Sequence, residues 1–216
     1  MRHIILLGDS ILDNGAYVRA GGEVLAKLRS LLPLTDRATL LARDGAVIDD
    51  TREQLQNLPA DATHLIISAG GNDALRSASV LMEPATSVAE AMNKIGRVHE
   101  RFAQAYDRLL DRAQASNRPI ALCTIYDVPL PGLYQRSIAN LALGVLNDVI
   151  TREASRRRLP LIDLRVMLTE ERHFANAIEP SEEGSQLIAA AVLEVIGHDS
   201  SGHPAIYTGL EAVQRS

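Results

Sequence analysis

Five short runs rich in Ile, Leu and Val punctuate the chain, at Ile4 to Leu7, Ala38 to Leu41, Leu65 to Ser68, Ile120 to Ile125 and Leu161 to Leu164, and longer segments of helical period lie between them. A strand that is apolar on successive residues has no face to give to water, so it needs cover on both sides. Parallel pairing supplies that cover, because each crossover between parallel strands is usually a helix that packs on the sheet. The pattern predicts an α/β fold: a three-layer α/β/α sandwich around a five-stranded parallel sheet.

The spacing predicts a long helix from about Ser87 to Ala115, with Val88, Met92, Ile95, Phe102, Tyr106 and Leu109 forming one buried stripe. A second is expected between Leu133 and Arg157, with Ile138, Leu141, Val145, Leu146 and Val149 inward. A third begins after Ser181, a good N-cap, and carries Leu187, Ile188, Ala191, Val192 and Val195 on its apolar side. No linker or repeat divides the 216 residues, so residues 1–197 read as one domain. The tail from His198 to Ser216 is polar and weakly periodic, and is expected to pack loosely or to order only against a partner.

Charge narrows the function classes. The 27 acidic and 22 basic residues give a formal net charge of -5, and Arg156, Arg157 and Arg158 form the only basic triplet, at a helix end that cations suit. No nucleic-acid footprint is present. No segment reaches the ~20 apolar residues that span a bilayer, and the first apolar run stops at Gly8, too soon for a signal-peptide core. No membrane partner is expected, and a cytoplasmic protein is. The single cysteine, Cys123, lies in the apolar run PIALCTI, which suits core packing.

In a parallel α/β sheet, ligands bind outside the carboxyl ends of the strands. The residues there are Gly8-Asp9-Ser10-Ile11 after the first strand, Asp44-Gly45 after the second and Gly70-Gly71-Asn72-Asp73 after the third. Tyr126-Asp127 follows the fourth, and a long loop through His173, Asn176 and Glu179 follows the fifth. Ser10 can act as a nucleophile. The backbone N–H groups of Ser10 and Gly45 and the side-chain amide of Asn72 are candidate donors to a developing oxyanion. Asp13, Asp44, Asp49, Asp50 and Asp127 lack recognisable metal-ligand spacing, so turn formation accounts for them, and no metal or cofactor is called for.

GDSI at 8–11, the glycine of ARDGAVIDD and GGND at 70–73 resemble, in order and position, the first three signature blocks of the SGNH (GDSL-type) hydrolases. The resemblance covers roughly residues 3–196. It implies a flavodoxin-like fold, hydrolysis of an ester or related acyl group, Ser10 as nucleophile, and Ser10, Gly45 and Asn72 as oxyanion hole. The fourth block departs from the family pattern, in which Asp-x-x-His precedes Pro-Ser-x-x-Gly and supplies the base and its orienting partner. Here the stretch reads Asn176-Ala177-Ile178-Glu179-Pro180-Ser181-Glu182-Glu183-Gly184. Asn stands where the family has Asp, and Glu where it has His.

Two expectations for the site follow. In one, Ser10 attacks a small ester or acylated metabolite while Glu179 takes its proton and Asn176 orients it. In the other, the pocket holds a carboxylate or acetyl group without catalysis, and Glu179 caps or ion-pairs. His173 shares the loop as an alternative base, and Asp9 and Asp73 are possible supports, Asp73 in a structural role by default. Oligomeric state stays open.

Overall fold

Residues alternate sides along every strand, and the core divides accordingly into two halves. Ile4, Leu6, Ile66, Ala121, Cys123 and Ile162 point into one half, and Ile5, Leu7, Leu65, Ile67, Leu122 and Leu161 into the other. The computed structural model describes residues 1–197 and 205–208. Its strands are β1 (His3–Gly8), β2 (Arg37–Leu40), β3 (His64–Ser68), β4 (Ile120–Cys123), β5 (Leu161–Ile162) and β6 (Ile206–Tyr207). They form one sheet in the order β2-β1-β3-β4-β5-β6, parallel throughout.

Helices α1 (Val24–Leu31), α6 (Leu164–Met167) and α7 (Glu182–Gly197) cover one face. Helices α2 (Ile48–Gln54), α4 (Val88–Gln114) and α5 (Leu133–Arg157) cover the other. The short α3 (Gly71–Ser77) follows β3 directly. This is the expected three-layer sandwich. The buried thiol of Cys123 is pushed up to about 12 by desolvation, in keeping with a packing role. Among the described residues no helix is long and apolar enough to cross a membrane.

Among the described residues the sheet has six strands where five were expected. Within the segment read as a loose tail, Ile206 and Tyr207 pair with Leu161 and Ile162, and Leu161 and Asp163 donate their N–H groups to Ala205 and Tyr207. A run of two residues carries no measurable period, and its strand character comes from the exposed edge of β5. The rest of that segment lies outside the described residues. The fifth apolar run is also shorter as a strand than it reads, because Asp163 accepts from Arg165 N and starts α6 at Leu164.

The long helices match their expected ranges but not their burial. Ser87 caps α4 by accepting from Glu90 N, and Phe102, Tyr106, Leu109, Leu110 and Ala113 are buried. Val88 and Met92, read as part of the same stripe, are 81% and 59% exposed, and Leu141 on α5 is 72% exposed. The buried positions begin only at Phe102 on α4 and at Leu143 on α5, and the turns before them are less covered.

Candidate active site

The strand order reverses between β1 and β3, the switch point at which a flavodoxin-like sheet opens a crevice. Both strand exits are built for close approach. Gly8 has φ +133°, and a Cβ there would fall 1.6 Å from the Ser68 carbonyl oxygen. Gly70 has φ +117°, and a Cβ would strike the ring of Phe102. Only glycine fits either position. Gln54 grips the first exit, accepting from Gly8 N and donating to Gly8 O, each at 2.8 Å.

Ser10 is buried on the turn that follows. Its hydroxyl donates to Glu179 Oε1 at 3.1 Å. Glu179 is itself buried, and its Oε2 has no hydrogen-bond partner among the described residues. An underserved carboxylate holds a proton more tightly, and burial indeed raises the Glu179 pKa, although the Ser10 hydrogen bond opposes the shift. The arrangement therefore joins a buried hydroxyl to a carboxylate more basic than an ordinary glutamate. Asn176 does not touch the Glu179 carboxylate. Its Oδ1 accepts from Ile178 N at 2.8 Å and Glu179 N at 2.9 Å, so it orients Glu179 through the backbone of a side-chain-closed turn.

His173 faces elsewhere. Its Nδ1 accepts from Glu170 N at 3.2 Å, its Nε2 lies 4.0 Å from Glu170 Oε1, and its carbonyl accepts from Ser181 N. The ring serves the turn before α7, whose start Ser181 caps by accepting from Gly184 N.

Asn72 shares a cavity with Ser10. One of its amide hydrogens goes to Ala46 O at 3.0 Å, which leaves the other for a ligand. Gly45, at φ +76°, lies outside that cavity wall and connects to it through the Asn72–Ala46 bond; a Cβ on it would meet nothing within 4 Å, so the space beside it is open. Asp73 accepts from Ile48 N at 3.0 Å and ties the β3 exit to the start of α2, a structural role. Asp9 is buried in the cavity wall, accepts from Ile11 N, and is pushed up to about 7, chiefly by desolvation and further by the Glu179 charge. Asp50 accepts from Val47 N at the start of α2, whereas Asp13 accepts from Asp44 N, 31 residues on, and so ties two loops together where a turn was expected.

Three amides that sequence reasoning missed hold this frame. Besides Gln54, Asn147 brackets Ile125 beyond β4, accepting from its N–H at 2.8 Å and donating to its carbonyl at 2.7 Å. Asn14, fully buried, accepts from Val24 N and donates to Pro180 O and Ser185 Oγ, which binds the segment after Ser10 to the Glu179 loop. For Asn147 a signal existed, since it interrupts the inward stripe between Leu146 and Val149. Asn14 and Gln54 carry no such mark.

The model of the GDSL-like Lipase/Acylhydrolase family matches residues 6–187. The chain belongs to that family. Among solved structures it is similar to a lipolytic protein of the G-D-S-L family from Veillonella parvula, with TM-score 0.66 and 17% identity over 92% of this chain and 100% of that one. It is also similar to phospholipase A1 from Streptomyces albidoflavus, with TM-score 0.61 and 16% identity over 91% and 98% of the two chains. An acetyl xylan esterase gives TM-score 0.61 and 18% identity over 90% and 99%. At these identities the structures share the fold with this chain. No curated protein matches it in sequence.

Proposed function

We propose that the protein is a serine esterase of the family's type, acting on a small ester or acylated metabolite with Ser10 as nucleophile and Glu179 as general base. The observation that carries this reading is the buried Ser10 Oγ to Glu179 Oε1 hydrogen bond of 3.1 Å, made by the residue that the fourth-block resemblance matches to the family's histidine. Ser10 Oγ attacks the ester carbonyl carbon as its proton passes to Glu179. Negative charge gathers on the carbonyl oxygen, and Asn72, with the backbone N–H groups of Ser10 and Gly45, is the donor set available to it. As the tetrahedral intermediate collapses, the bond to the leaving oxygen breaks and Glu179 returns the proton there. Water then attacks the acyl-serine through the same base, and the acid departs. Phospholipase and acetyl xylan esterase are both among the similar structures, so the acyl group is a separate question.

A fluorophosphonate probe read by intact mass tests the assignment. The wild type should gain one adduct and Ser10→Ala none, and Glu179→Gln should slow labelling by ~10²–10⁴-fold, the usual worth of a general base. The rate should fall as pH drops through the Glu179 pKa, with its acid limb above the ~4.3 of an ordinary glutamate. If His173→Ala removes the reaction while Glu179→Gln leaves it intact, the base is His173. Absence of any adduct on the wild type favours the pocket as a non-catalytic holder of a carboxylate or acetyl group.

A further inference from the structure

The cavity beside Ser10 has a volume of about 200 Å³ and is strongly one-sided in chemistry. Asp9, Ser10 and Asn72 gather at the strand exits, whereas Ala74, Leu81, Ile95, Val98, Ala142 and Leu146 are typical of the remaining wall. No Lys, Arg, His or Glu side chain lines it among the described residues. Its other polar groups are the hydroxyls of Ser68, Ser77, Thr124 and Tyr126, of which Thr124 is already bonded to Asp163 and Leu164 N, so the wall offers a sugar few free partners and an anionic substituent no cation among the described residues.

Helices α4 and α5 form the outer wall. They run parallel: Arg157 near the end of α5 meets Asp107, Asp111 and Gln114 near the end of α4, and Ile95 and Val98 share the cavity with Ala139 and Ala142 nearer their starts. Their apolar stripes are packed together at the lower end by Tyr106, Leu109, Val149 and Ile150, and part around the cavity above. Beyond it the α4 stripe runs into water. Met92 and Val88, one and two turns before Ile95 on the same side of α4, are 59% and 81% exposed, and Leu75, itself on the cavity wall, is 51% exposed. An apolar wall that continues into an apolar rim marks a site for a ligand that is itself apolar along its length.

The geometry points to an acyl-chain site: the cavity takes the hydrocarbon tail of a medium-chain acyl ester, with its carbonyl at Ser10 and its far end on the rim formed by Leu75 and Met92. This rests on the esterase reading for the carbonyl end and on the cavity alone for the tail. A dry apolar cavity of ~150 Å³ holds a six-carbon ring, so about 200 Å³ takes roughly eight carbons.

Two measurements separate the site from the chemistry. Across p-nitrophenyl esters from acetate to dodecanoate, kcat/KM should climb by up to about fourfold per added methylene, the worth of burying one, until the octanoate, and then flatten as the chain reaches the rim. Ala142→Phe, which fills the wall, should lower the octanoate-to-acetate ratio of kcat/KM at least tenfold. An acetate optimum, or an unchanged ratio in a folded variant, overturns the proposal. Calorimetric titration of the wild type with sodium octanoate and sodium acetate needs neither turnover nor the variant. Binding of octanoate alone, with the negative heat-capacity change of apolar burial, supports the site even if no ester is hydrolysed. Octanoate binding no better than acetate refutes it even if short esters are cleaved.

Discussion

Asp9 and Ser10 are neighbours in the chain with opposite relations to their burial. Ser10 has a side-chain partner for its hydroxyl, whereas the Asp9 carboxyl has only the backbone N–H groups of Ile11 and of Asp9 itself and is buried in the cavity wall. Its pKa of about 7 against ~3.9 in an unfolded chain makes a signed statement about stability. The neutral acid is the form the fold tolerates, so its contribution is fully present below about pH 4 and is lost as pH rises through 7. Asp9→Asn is neutral at every pH and removes that slope. The unfolding free energy of the variant relative to wild type should therefore shift in its favour by roughly 4 kcal/mol between about pH 4 and about pH 8. Urea titrations at the two pH values read this directly, and an equal difference at both would mean that Asp9 is ionised in the folded protein.

At the scale of elements, the site is a set of strand exits whose backbone groups leave the ladder and must find partners elsewhere. Gln54 does this for Gly8 at the end of β1, and Asn147 does it for Ile125 beyond β4. Both amides come from helices on the same face of the sheet, so each clamp also fixes a helix to the strand end it serves. The Gly8 carbonyl has a second donor in Arg43 N, whereas its N–H depends on Gln54. Gln54→Ala should therefore cost about 2 kcal/mol, as for one buried donor left unpaired, measured by urea unfolding. It should also lower kcat for any ester turned over, because Ser10 lies two residues downstream. A variant with unchanged stability would place water on that N–H.

Across the whole molecule, β6 decides where the sheet ends. Without it the edge of β5 would present unpaired N–H and C=O groups, as edge strands do, and Tyr207 brings a nearly buried aromatic ring against the α1–α7 face of the core. Tyr207→Ala should destabilise the protein by ~3 kcal/mol, at the lower end for truncating a buried aromatic ring, with loss seen in the same unfolding assay. Wild-type stability in this variant would mean that β6 is an accessory to a complete five-stranded sheet.

The layered parallel fold, the strand exits and three of the four signature blocks are legible in the chain, because apolar period and turn residues are local properties that survive without the fold. The sequence was right about α4 and α5 in extent and wrong in exposure, since a stripe of Val88, Met92 and Leu141 records that side chains are apolar and not whether another layer covers them. It likewise read Asn176 and Glu179 as substitutions without settling what they touch. Long-range packing brought Glu179 onto Ser10 across 169 positions, through α7 against α1 and the Asn14 bridge to Pro180. It also buried Asp9 and opened a cavity between two parting helices. Burial and long-range contact depend on every layer at once, and no window of sequence contains them.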